Sequence, residues 1–186
     1  MQIRSASQED VSELDEIDGT IESLKYLHLD VAGEGLAMRW VLEERPFREK
    51  LIETNQIEPE IGFLVRQITS GADEGLVLVA EHEGRVVAFL LAQVDSNINT
   101  LKVIDVRVDY DFRRQGLGSA LMYQAIQAAR EQELRAVAAH SRTNNFPAAQ
   151  YLNKLGFELS GLDTKASSNH DLVKEAVRLY WYAALK

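Results

Sequence analysis

The stretch Val103–Met122, VIDVRVDYDFRRQGLGSALM, constrains this chain more than any other. Val103, Ile104, Val106 and Val108 are β-branched and closely spaced, as a largely buried strand requires. Arg113-Arg114-Gln115-Gly116-Leu117-Gly118 makes a basic glycine turn, and Ser119-Ala120-Leu121-Met122 opens a helical pattern. A strand, a tight turn and a helix in that order form an anion cradle. The glycines let the backbone approach a ligand without a Cβ in the way. The first-turn N–H groups and the dipole of the helix favour negative charge, and the arginines add more positive charge. A diphosphate is the natural guest. The lysine and hydroxyl that follow the glycine in a P-loop are missing, and so is the third glycine of a dinucleotide fingerprint.

The rest of the chain predicts a mixed α/β fold, α+β in style, on one domain over 1–186. Gln2–Ala6 is a strand, and Ser7 caps a first helix whose apolar stripe is Val11, Leu14 and Ile17. Leu24–Val31 and Leu36–Glu44 alternate on either side of Gly33-Glu34-Gly35 and predict a hairpin. Pro46 ends its second strand or leaves it at an edge. Asn55–Ile61 reads as a polar loop, and neither Phe47–Ile52 nor Phe63–Ile68 has a clear period. Leu76–His82 and Val86–Val94 form a second hairpin around Glu83-Gly84-Arg85, followed by a third strand, Leu101–Val108. A helix from Gly116, a strand Ala136–His140, a helix Asn145–Leu155 closed by Gly156, and strands Phe157–Leu162 and Ala176–Ala184 complete the order.

Composition narrows the function classes. The net charge of −9 argues against general nucleic-acid binding, which wants a basic face, and mildly favours cationic partners. The apolar runs are strand-sized, so no membrane span is expected, and Met1–Asp10 has no signal-peptide pattern. With no cysteine there is no thiolate nucleophile or disulfide framework, and the four histidines lack ligand spacing, so no metal is expected. A cytoplasmic location is the plain expectation.

Two motifs together resemble one family. Arg113, Gly116 and Gly118 fill the fixed positions of the R/Q-x-x-G-x-G/A signature of the GCN5-related N-acetyltransferases. Asn145, Ala148, Lys154, Gly156 and Phe157 match that family's N-x-x-A-x-x-(L/F)-Y-x-K-x-G-F segment. The resemblance runs from about Leu76 to Phe157 and implies a GNAT-like acyl-CoA N-acyltransferase fold. In that fold the parallel strands around Val108 and His140 splay apart; here an extra N-terminal hairpin is added.

The resemblance implies acetyl-CoA as co-substrate. Val106 and Val108 would offer main-chain groups to the pantetheine arm, as an added strand would use them. Arg113, Arg114, Gln115, Gly116, Leu117, Gly118 and Ser119 would hold the pyrophosphate, and Asn145, with Ala148, would reach the pantetheine. The reaction is attack of a neutral amine on the thioester. It needs a route for the amine proton and a proton for the leaving thiolate.

The chain departs from the family where catalysis would sit. The family's helix tyrosine aligns with Leu152. Tyr151 is one residue early, a rotation of ~100°, and is either a thiolate donor or a packing residue. Ile104 and Lys102 occupy strand positions where relatives carry a base. Asp105 alternates to the opposite face and is expected to pair with Arg107 or Arg135. His140 is the candidate base, because an imidazole titrates near neutral pH; the other reading is a histidine that caps its strand.

Gly33–Leu36, Arg39 and Gly156–Thr164 are similar to the streptothricin acetyltransferase branch, whose strand glutamate is Ile104 here. The expected acceptor is a primary amine on a small, cationic molecule, with a homodimer by analogy. Trp40 and Tyr26 are expected in the core. Protein lysine or N-terminal acetylation, or a non-catalytic acyl-CoA sensor, are the other readings.

Overall fold

The computed structural model describes residues 1–186. The elements in chain order are β1 (Gln2–Ser5), α1 (Val11–Leu14), β2 (Ile21–Ala32), β3 (Arg39–Glu53), α2 (Pro59–Thr69), β4 (Gly75–His82), β5 (Arg85–Asp95) and β6 (Thr100–Val108). A 3-10 turn (Tyr110–Phe112) precedes α3 (Leu117–Glu131), β7 (Ala136–Arg142), α4 (Phe146–Lys154), β8 (Glu158–Asp163) and β9 (Arg178–Ala184). The α/β class and mixed sheet are as the sequence implies. No helix is long and apolar enough to cross a membrane.

The chain divides into two compact units, each assembled from separate segments. Unit one comprises Met1–Thr20, Thr54–Ala139 and Ala183–Lys186; unit two comprises Ile21–Glu53 and His140–Tyr182.

In unit one the strand order is β1-β4-β5-β6-β7. The first three junctions are antiparallel. β6 and β7 pair in parallel over Thr100↔Ala136 to Lys102↔Ala138, and β6 then runs on to Val108. Both faces of β4 and β5 are covered, so Val86–Ala92 is buried throughout and reads as a continuous apolar run. Val77, Val79, Phe89 and Leu91 point to one face, where they pack with Leu14, Ile17 and Val65 of the α1 and α2 segments. Their neighbours alternate to the other face, where α3 packs through Leu121, Met122, Ala125 and Ala129. Each large side chain buried there contributes about 1.5–3 kcal/mol. The β4–β5 turn is Glu83-Gly84, both at positive φ, the pairing a two-residue hairpin loop demands.

Two local readings change in unit one, and a third holds. The first helix is a single turn, and Ser7 does not cap it. Instead Asp10, buried, accepts the Ser7 N–H (2.6 Å) and is clamped by Arg4 at 2.7 and 2.8 Å. Those bonds, the Arg4 pair first, hold its carboxyl down at about 2. The predicted loop before Ile61 contains the start of α2, because Pro59 occupies the first helical position, where its fixed φ and missing N–H suit a helix. Asp105 pairs with Arg107 (2.8 Å), as expected. Arg107 is only 7% exposed and also donates to the carbonyls of Asn55 and Gln56.

In unit two β2 and β3 form an antiparallel ribbon from Ile21↔Glu53 to Ala32↔Arg39. Pro46 does not end it: β3 continues to Glu53, and the register breaks between Ser23 and Lys25, where Lys25 faces Pro46. Gly33 stands at φ +98, and a Cβ there would meet the Ala37 carbonyl oxygen at 2.0 Å. Trp40 is 47% exposed and not core; Tyr26, half-buried, stacks on Phe47 at 4.8 Å. The end of β7 is followed in the sheet by β9 and β8. Leu152, Phe157, Leu179 and Trp181 are buried here, and the Trp181 indole donates to the Ser141 hydroxyl (2.9 Å).

Candidate functional site

The glycine turn lies wholly in unit one, and the preceding residues hold it firmly. Asp109, buried at the end of β6, accepts the N–H of Asp18 (3.2 Å) and that of Asp111 (3.3 Å), while its own N–H donates to Val87. Arg113 then turns inward. Its guanidinium donates to the carbonyls of Val108 (3.0 Å), Thr20 (2.6 Å) and Asp18 (3.1 Å), and lies 5.1 Å from the centre of the Tyr110 ring. The guanidinium expected to face an anion also ties the turn to the 18–20 segment.

Past Arg113 the backbone opens. Arg114 is at φ +63 and Gly116 at φ +82, and Arg114, Gln115 and Gly116 are exposed. Gly116 is the N-cap of α3 in the left-handed conformation. No side chain caps the helix, and its first turn has no acidic residue. A helix begun this way relies on something else for its amide donors. A Cβ at Gly116 would meet nothing within 4 Å, so the backbone faces open space. Leu117 is buried beneath the turn, while Gly118 and Ser119 are half-buried. A diphosphate fits this cradle in charge and in room. Val106 and Val108 precede it on β6, in register with Leu90 and Ala88 of β5 and beyond the short ladder to β7.

Unit two carries the second motif. Asn145 caps α4: its Oδ1 accepts the Ala148 N–H (3.3 Å), with Pro147 in the first turn. Ala148 thus takes part in the cap through its backbone. The preceding residue is different. The Asn144 Oδ1 is buried and meets no donor. Tyr151 is half-buried on α4, whereas Leu152, aligned with the family's tyrosine, is in the core. His140 is exposed and lies within β7, which extends two residues further to Arg142. It does not end its strand. Arg142 itself pairs with Glu53 at 2.7 Å.

Sequence reasoning missed a pair in unit two. The Nδ1 of His28 on β2 lies 2.8 Å from the Glu175 carboxylate, 147 residues away in sequence. No local pattern announces such a contact. Asn144 was missed too, although it adjoins the matched Asn145.

Similarity to known proteins bears on this arrangement. The streptothricin acetyltransferase of Streptomyces lavendulae is 24% identical over 163 residues, covering 88% of this chain and 84% of that protein. The crystal structure of a nourseothricin acetyltransferase matches with a TM-score of 0.80 at 22% identity, over 100% of this chain and 98% of that one. A streptothricin acetyltransferase structure from Bacillus anthracis str. Ames, described as putative and in complex with acetyl coenzyme A, matches with a TM-score of 0.77 at 21% identity, over 99% of each chain. At these identities the two structures show a shared fold. The sequence profile of the Acetyltransferase (GNAT) family matches residues 37–157, a span that contains both the glycine turn and the Asn145 helix. The chain therefore belongs to the acetyltransferase (GNAT) family and is an N-acetyltransferase.

Proposed function

We propose that this chain transfers an acetyl group from acetyl-CoA to a primary amine of a small, cationic molecule. The observation that carries the reading is the turn 113–119, where a helix opens on a left-handed glycine with no cap of its own. In unit one, the main chain of Gln115–Ser119 and the exposed Arg114 would hold the diphosphate, while Arg113 keeps the turn in place. The main chain at Val106 and Val108 would line the pantetheine arm. For unit two, the family resemblance implies that Asn145, with Ala148, contacts pantetheine. Acetyl-CoA supplies the activated thioester.

The cationic acceptor is supported by the net charge of −9 and by similarity to a streptothricin acetyltransferase over most of the chain. Ile104 and Leu152 depart from that branch at its strand glutamate and helix tyrosine, which argues for a different amine on a related scaffold. Tyr151 is the α4 candidate to protonate the leaving thiolate, and His140 is the candidate base that the sequence points to.

The test is thiol release from acetyl-CoA across polyamines, lysine and β-lysine compounds, aminoglycosides, streptothricin and short peptides. A thiol reagent gives no background from a chain without cysteine. Turnover with one class of small cationic amine is the expected result. Turnover with peptides alone would replace it by protein acetylation. Binding of acetyl-CoA without turnover of any amine would favour the sensor.

A further inference from the structure

β3, in unit two, is a long strand with one edge left open. The other edge strands are blunted: β1 has four residues, and β8 has six with a register break between Leu159 and Gly161. β3 has fifteen. Its neighbour β2 is covered on the far side, where the Leu27 N–H donates to the Thr143 carbonyl (2.9 Å). The main chain of Arg39–Glu44 bonds to β2 and to no other segment. The Leu27 bond also fixes which groups are open. In an antiparallel strand the N–H and C=O of one residue share a side. Leu27 turns both away from β3, so its register partner Glu44 turns both away from β2. By alternation Leu42 and Trp40 do the same. So does Pro46, whose missing N–H falls on the open edge.

The side chains along this edge suit a second copy of the same strand. Trp40 and Val41 are 47% and 51% exposed. Arg39, also exposed, stands opposite Ala32 and has no acid across its own ribbon. An antiparallel two-fold match must oppose open residues to open residues, so its axis passes through one residue. Charge then selects the residue, because like charges directly opposite are destabilising. An axis at Glu43 or Glu44 sets a carboxylate against its own copy. An axis at Leu42 sets Arg39 against Arg45, and one at Trp40 pairs no charges. An axis at Val41 opposes Trp40 to Leu42 and Arg39 to Glu43, twice over. Glu43 then lies between Arg45 of its own strand, at 2.9 Å, and Arg39 of the second copy. Beyond Glu44 the edge carries Arg45, Pro46, Arg48 and Lys50, the charges and the proline that keep an edge unpaired, so the match stops there.

We propose that two copies of this chain pair through β3, about a two-fold axis at Val41, so that their ribbons join into one sheet in the order β2-β3-β3-β2. The main-chain groups of Trp40 and Leu42 exchange hydrogen bonds with those of Leu42 and Trp40 of the second copy. On one face Trp40 lies beside Leu42 of the second copy, and Val31 and Leu29, their register partners on β2, extend the apolar strip. On the other face the two Arg39–Glu43 ion pairs flank the paired Val41 side chains. A match this short is at the low end of interface sizes, so the dimer is reversible and of micromolar strength.

The experiment places a cysteine on the axis of a chain that has none. Val41 would meet its own copy as a non-hydrogen-bonded pair with Cα atoms about 4.5 Å apart, within the ~4.4–6.8 Å that a disulfide spans. Under a mild oxidant Val41→Cys is expected to run as a covalent dimer on a non-reducing gel, and Arg48→Cys as a monomer. Sedimentation of the wild type at ~100 µM is expected to show a reversible dimer. Arg39→Glu is expected to raise its dissociation constant about tenfold, and adding Glu43→Arg to bring it back. Leu42→Pro removes an N–H from the open edge alone, and is expected to give monomers with the circular dichroism of the wild type. A wild type that stays monomeric at ~100 µM overturns the proposal, and so does a dimer that Leu42→Pro and Arg39→Glu both leave intact. Equal cross-linking of the two cysteine variants, or a charge swap that restores nothing, overturns the axis at Val41.

Discussion

α3 and α4 each begin at a family motif, and they begin in opposite ways. α3 opens on Gly116, with no side-chain cap and no acid in its first turn. α4 opens on Asn145, whose own side chain accepts the Ala148 N–H. The first helix start has no side-chain cap of its own and the second does. A helix N-terminus is therefore a binding element only where the chain withholds its own cap. At α4 the unmet group is a neighbouring acceptor, the Asn144 Oδ1, which calls for a donor instead of an anion.

The largest test of this contrast is Ser119→Glu, which places a carboxylate in the first turn of α3. A negative charge there suits the helix dipole, so stability should hold or rise by up to ~1 kcal/mol. Acetyl-CoA affinity should fall about 100-fold, or ~3 kcal/mol, because like charges now meet. Calorimetry and thermal unfolding read the two opposite effects. Unchanged affinity would place the diphosphate elsewhere.

Arg113→Ala probes what holds the α3 start open. Removing three charge-assisted bonds to carbonyls should lower stability by about 2 kcal/mol in urea unfolding and weaken acetyl-CoA binding as the turn loosens. Arg113→Lys should restore only part of both, since one ammonium lacks the guanidinium fork.

Asp10, at the start of α1, is a control away from both motifs. Its carboxyl sits at about 2, below its ordinary 3.8. Its contribution, about 2 kcal/mol, is therefore complete above the ordinary value and lost as pH falls through about 2. Asp10→Asn should be less stable than wild type at neutral pH, with the gap closing between pH ~4 and ~2 and acetyl-CoA affinity unmoved. A gap that persists at the acidic end would assign the loss to packing.

Asn145 gives the smallest effect. Asn145→Ala should cost about 1 kcal/mol by unbinding the α4 cap, while Asn145→Asp keeps an acceptor and the stability. Acetyl-CoA affinity that falls in the stable Asp variant would show a direct contact to the ligand. Equal affinity would leave Asn145 as a cap alone.

The fold was legible where one local pattern left one solution. Val86–Ala92 is apolar at every position because both faces of β5 are covered, and Glu83-Gly84 supplies the left-handed pair its turn requires. Elsewhere the local signals conflicted. Pro46 looks like a stop, yet in a two-stranded ribbon every strand is an edge, and a missing N–H leaves no ladder unsatisfied. α2 was obscured by Gly62 within it and by Phe63, which is exposed and blurs the stripe of Ile61, Leu64, Val65 and Ile68. In the site, the glycine turn and the Asn145 cap were readable because each is a short motif whose parts bond locally. The direction in which Arg113 points was not, because its acceptors at Asp18 and Thr20 come from a distant segment.

By itself, then, the sequence determined the strand–glycine turn–helix, the capped α4 and the family they signal. These depend on φ preference, caps and periodicity, which act over a few residues. The tertiary structure alone decided that Arg113 would brace the turn, that Asn144 would keep an unmet acceptor, and that His28 would meet Glu175. Those outcomes depend on which distant polar groups are brought within 3 Å or so of one another as apolar faces are buried, and no window of sequence contains both partners.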